Sequence, residues 1–147
     1  MGLDALETTH DFIQWLFPLP EPSSASLDAP ILTRDDIAAF HADPSLRAEL
    51  LRSLAVMLRF YGFERGGDPA PPAIVVTRAP EFDLRRRVWL HPYSHNFLRI
   101  TRILRALHLL GCSSHATAFL ACLEAVYADF PDAIGPRTIA FWRNAAG

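Results

Sequence analysis

Two stretches of this chain repeat apolar residues at helical spacing, and each stops at a glycine. Leu46, Leu50, Leu54, Met57, Leu58 and Tyr61 precede Gly62; Phe97, Ile100, Ile103, Leu104, Leu107 and Leu110 precede Gly111. A period near 3.6 places each set on one face of a helix. Glycine enters the left-handed conformation that closes a helix without a Cβ penalty. A chain of 147 residues that must bury two such faces has to pack helix against helix.

The remaining punctuation divides the chain further. Thr9 caps a predicted short helix over His10 to Phe17 that Pro18 stops, and the stretch PLPEPSSASLDAP (18–30) reads as irregular surface connection. Thr33 followed by Asp36 resembles a capping box before a helix from Arg34 to about Ala42. Asp43-Pro44 supplies an N-cap and a first-turn proline for the helix that ends at Tyr61. Residues 64–80, with Gly66-Gly67 and four prolines, form the longest predicted loop; Ile74-Val75-Val76 within it reads as an isolated extended segment with no partner strand. Pro80 opens a helix to Leu90, His91-Pro92 breaks it, and the next runs from about Tyr93 to Leu110. Ser114 is the predicted cap of a helix carrying Phe119, Leu120, Leu123, Val126, Tyr127 and Phe130, and Gly135-Pro136 starts a last one through Phe141 and Trp142. The expected class is all-α: a single compact bundle of about seven helices with mixed crossing angles, one domain over residues 1–147.

Composition excludes several functions. Half of the residues are apolar and the formal net charge is −2, which fits a globular domain and argues against a nucleic-acid binder. All fourteen basic residues are arginine, the signature of a GC-rich, bacterial-type genome. Cys112 and Cys122 are too few for a disulfide scaffold and read as free thiols in a reducing cytoplasm. The N-terminus lacks a secretory signal, and the charge-free stretch from Ala106 to Leu123 is broken by Gly111, Ser113, Ser114 and His115, so it reads as two helix pieces and a turn.

The stretch HNFLRITRIL, from His95 to Leu104, poses a physical problem. On a wheel at about 100° per residue Asn96 falls inside the apolar arc, Arg99 at its edge, and His95, Arg102 and Arg105 away from its centre. An amide buried without partners costs roughly 1–3 kcal/mol. Asn96 is therefore expected to be buried, with its amide bonded to main chain or to a residue of the first helix. Arg99 is expected to lay its stem on the core and turn its guanidinium toward the first helix. Arg102 is expected to meet solvent or an acidic surface partner.

Other chemistry is thin. His91 and His95 stand four apart, but Pro92 interrupts them and no paired Cys or Glu motif lies nearby, so no metal is expected. No nucleophile elbow and no glycine-rich phosphate loop is present, and no cofactor is expected. Arg85-Arg86-Arg87 is the densest basic run, without the interleaved aromatic residues that stack on bases. On residues alone, structural roles for Asn96, Arg99, Trp15 and His10 are favoured over a site.

Two long motifs narrow the reading. LETTHDFIQWLFPLPEPS near the start and SHNFLRITRILRALHLLG in the second half resemble the conserved domain of the opioid growth factor receptor family. Its opening motif falls on His10, Phe12, Ile13, Gln14, Trp15, Leu16, Phe17, Pro18 and Leu19, and its central-helix motif on His95 through Leu104 without a gap. Asp36-Ile37 to Phe40 and Met57 to Gly62 resemble intervening family segments. The resemblance implies a receptor-like domain whose animal relatives bind methionine-enkephalin and lie in or near the nucleus.

The expected function is thus a non-enzymatic binding domain, soluble and cytoplasmic, for an anionic or peptide-like ligand or a protein partner. Its expected ligand-binding residues are His10, Gln14, Trp15, His95, Asn96, Arg99 and Arg102. The alternative is a small enzyme with His10 or His95 as acid or base and Arg99 holding an anionic substrate.

Overall fold

The computed structural model describes residues 16–21, 31–66 and 74–147. Within these the elements are α1 (Arg34–Ala42), α2 (Pro44–Tyr61), β1 (Phe63–Gly66), β2 (Val75–Arg78), α3 (Phe82–Trp89), α4 (Asn96–Leu109), α5 (Ser113–Asp129), α6 (Pro131–Ile134) and α7 (Pro136–Ala145). The helix predicted over His10 to Phe17 lies outside the described residues except for its end.

The caps follow from local chemistry. The Thr33 hydroxyl accepts from the Asp36 amide, and the Asp36 carboxylate accepts from the Thr33 amide. The Asp43 carboxylate accepts from the Ser45 amide and Pro44 fills the first turn of α2. Gly111 takes φ 88°, and the Cys112 amide donates to the Leu107 carbonyl at 2.8 Å, the six-to-one bond of a glycine-closed helix end. This bond carries the chain directly into α5, which starts at Ser113. The predicted Ser114 cap is therefore corrected: α5 starts at Ser113, and its N-cap Cys112 makes no side-chain capping bond among the described residues. The Tyr93 start is likewise corrected to Asn96, because Tyr93 has φ 61° and interrupts the helical path.

The all-α expectation needs a second correction. The fold is mostly helical but includes a two-stranded antiparallel sheet. Phe63 faces Arg78, Glu64 faces Thr77, Arg65 faces Val76 and Gly66 faces Val75. The partner that Ile74-Val75-Val76 lacked in sequence is FERG, a stretch of weak strand propensity. Its pairing is a tertiary effect: Phe63 is fully buried, stacked on Phe82 and edge-on to Trp89 and Phe119.

Beside this sheet the last carbonyls of α2, which have no intrahelical donor, are met from outside. Arg85 Nε donates to Phe60 O at 2.8 Å, Trp89 Nε1 to Tyr61 O at 3.0 Å, and the Ala79 amide to Gly62 O at 2.9 Å. The central helix α4 packs against α5 and α7, and β2 against α5. Trp142 of α7, fully buried, donates its indole N–H to Phe97 O at 3.1 Å and sits edge-on to the Phe97 ring. Ile100, Ile103, Leu104, Ala106 and Leu107 of α4 are buried, as the wheel required. Among the described residues no helix is long and apolar enough to cross a membrane.

Candidate functional site

The first turn of α4 gathers polar side chains inside the core. Asn96 is completely buried, Arg99 is 6% exposed and Ser94 is buried. The Ser94 hydroxyl accepts from the Asn96 amide at 3.3 Å, so Ser94 serves the helix start that His95, at the N-cap, leaves without a side-chain bond. Asn96 Oδ1 accepts from the Tyr61 hydroxyl at 3.4 Å and from Arg99 Nη1 at 3.3 Å. One amide oxygen thus joins the end of α2 to the first turn of α4 and orients a guanidinium. Tyr61, His95, Asn96, Arg99 and Arg102 each make at least one further polar, ionic or ring contact.

Asn96 is buried and hydrogen-bonded as its place on the wheel demanded. The 100° step places Arg99 one turn later on nearly the same face, which is why the two meet. Tyr61 and Ser94 are members of the cluster that sequence reasoning did not pick. Tyr61 looked like one more apolar position of α2. Ser94 was available as a hydroxyl two residues before a buried asparagine, an ordinary local capping signal.

Arg102 makes a contact beyond the expected solvent or acidic partner. It is half-buried, and its Nε donates to the main-chain carbonyl of the fully buried Phe17 at 2.7 Å. Burial pushes its guanidinium below its ordinary value; Glu21 opposes this shift and Arg105 adds to it. Arg105 pairs with Glu21. A long side chain one turn beyond Arg99 can therefore run along the core to a backbone acceptor, which helical spacing does not reveal. His95 is exposed. His10, Gln14 and Trp15 lie outside the described residues.

Elsewhere the basic run separates by direction. Arg85 turns inward to Phe60 O and stands over the Phe60 ring, Arg86 pairs with Asp83 and stands over Phe130, and Arg87 is exposed. His115, at the start of α5, has its Nε2 buried with no partner among the described residues. Burial, then the nearby Arg65 charge, lowers its affinity for a proton. Burial raises the Cys112 thiol and pushes Cys122 up to about 11, so both are inert at neutral pH. Among the described residues no three His, Cys, Asp or Glu side chains converge to hold a metal.

The chain matches the family described as the opioid growth factor receptor (OGFr) conserved region over residues 2–126. It is 44% identical over 110 residues to the opioid growth factor receptor of Rattus norvegicus, covering 74% of this chain and 18% of that protein. It is 40% identical over 111 residues to the opioid growth factor receptor of Homo sapiens, covering 74% and 15%. It is 36% identical over 108 residues to opioid growth factor receptor-like protein 1 of Xenopus tropicalis, covering 74% and 20%. The chain thus spans about a fifth of the length of these relatives. No solved structure matches it. With the match running through α1 to α4 and nearly all of α5, the chain belongs to the opioid growth factor receptor conserved-region family.

Proposed function

We propose that this chain is a non-enzymatic, receptor-like binding domain for an anionic or peptide-like ligand. The site is the N-terminal end of α4 together with the segment that leads into Phe17. Its residues are His95, Asn96, Arg99 and Arg102, with His10, Gln14 and Trp15 contributing from that segment. The observation that carries the reading is the Asn96–Arg99 bond within a nearly closed environment. A guanidinium fixed beside apolar walls attracts an anion more strongly than one in open water. The names of the relatives, which include receptors for a growth factor, support binding rather than catalysis. The enzyme alternative is not favoured: His95 faces solvent rather than a closed reaction chamber.

Isothermal titration with methionine-enkephalin and with inorganic phosphate tests this. Arg99→Lys keeps the charge and loses the planar fork, so affinity for whichever probe binds should fall about tenfold. Arg102→Lys should cost less. Equal affinity of wild type and Arg99→Lys, with both folded, would overturn the site.

A further inference from the structure

A groove of about 390 Å³ lies where α2 ends, lined by Arg59, Phe63, Glu64, Ala79, Glu81 and Arg85. It is separate from the first turn of α4, and its volume falls within the range of small-molecule sites. Three observations distinguish it from a solvated charged surface.

The first is Arg85. Its Nε is held by Phe60 O at 2.8 Å and its guanidinium lies 5.0 Å from the centre of the Phe60 ring. Two anchors fix the plane and leave the terminal nitrogens without an acceptor among the described residues. A planar fork already ordered loses little freedom on gripping a carboxylate. The second is Glu81. It occupies the N-cap of α3, where Ser, Thr, Asp or Asn ordinarily bonds the first amides, yet its side chain makes no capping bond. The third is charge without internal pairing. Two arginines and two glutamates line one groove, but the side chains of Arg59, Glu64 and Glu81 form no ion pair or hydrogen bond among the described residues. Elsewhere the chain pairs such groups readily, as Arg143 does with Glu124 and Arg78 with Asp129.

We infer that this groove binds a small zwitterion carrying both a free ammonium and a free carboxylate group, an amino acid or the ends of a short uncapped peptide. Arg85 and Arg59 receive the carboxylate, and Glu81 and Glu64 receive the ammonium. Ala79 supplies apolar surface between them. A simple anion would be attracted by the arginines and repelled by the glutamates, so the balanced charge selects a ligand of both signs.

The experiment is nuclear magnetic resonance titration of the full chain with alanine, trialanine, N-acetyl-trialanine and trialanine amide, with inorganic phosphate as control. Trialanine should shift the backbone amides of Glu64, Glu81 and Arg85. Capping either end should weaken binding about tenfold, because each cap deletes one charged contact. Alanine binding as tightly as trialanine assigns the groove to amino acids; weaker binding assigns it to peptides. Arg59→Ala and Glu81→Gln, both at exposed positions, should each weaken trialanine binding several-fold with the fold unchanged. They keep the test decisive even if Arg85→Ala, which strips the Phe60 carbonyl of its donor, fails to fold. No shift at these residues would overturn the inference, as would equal binding of the capped peptides or a stronger response to phosphate. Shifts confined to the first turn of α4 would do the same while leaving the α4 site standing.

Discussion

Replacing Gly62 with alanine should be among the most damaging single-methyl changes in this chain. Two separate costs add. Gly62 has φ 87°, where an L side chain crowds its own backbone at about 1–2 kcal/mol. A Cβ there would also stand 2.7 Å from Phe82 Cα and 3.0 Å from Arg85 Cβ. Phe82 Cα is backbone and cannot rotate away, so the start of α3 must shift. Such a shift stretches the bonds from Arg85 to Phe60 O and from Trp89 to Tyr61 O, each worth about 0.5–1.5 kcal/mol. The expected loss is about 2–4 kcal/mol, which lowers the thermal midpoint by roughly 5–15 °C in a chain of this size. Far-ultraviolet circular dichroism during heating, with a urea titration, measures both quantities. Gly66→Ala is the internal control, because nothing lies within 4 Å of its added methyl; it should stay within about 0.5 kcal/mol of wild type. If Gly62→Ala falls in the same band, the tight seating of α3 against the end of α2 is wrong.

Arg102→Ala removes the donor to the buried Phe17 carbonyl and should cost about 1–3 kcal/mol, whereas Arg105→Ala breaks only a part-exposed pair with Glu21 and should cost about 0–1 kcal/mol. Urea midpoints rank the two, and the reverse order would refute the tether. Burial raises Cys122 from the ordinary 9.0 to about 11, so the unfolded chain releases this proton first and stability should decline as pH climbs from about 9 to about 11. Cys122→Ala should flatten that decline in denaturation curves. His115 is shifted the other way: its folded form holds a proton less readily than the usual 6.5, so its contribution is present above that pH and is lost as pH falls below it. His115→Leu should remove that part of the acid dependence, and an unchanged acid limb would show that other groups set it.

Much of this molecule was legible in the chain because its helices are closed by local chemistry. The Thr33–Asp36 box, Asp43-Pro44, Gly62 and Gly111 each act through atoms a few residues apart, and the structure places helix ends there. The burial of Asn96 followed equally from the 100° step of one helix, whereas its bonds to Tyr61 and Arg99 were not legible there. The family too was carried by contiguous words, HDFIQWLFPL and HNFLRITRIL, that need no tertiary information.

What only the tertiary structure decided are the partners distant in sequence. FERG becomes a strand because Phe63 is trapped among Phe82, Trp89 and Phe119, residues up to 56 positions away, and not because its own residues favour extension. Arg102 reaches a carbonyl 85 residues back, where a wheel shows only an outward-leaning charge. Arg85, one of three arginines in a row, is the one whose Nε faces Phe60 O, so it alone of the three lines the groove at the end of α2. Local spacing sets the direction in which a side chain leaves its helix; which acceptor waits there depends on how the elements pack.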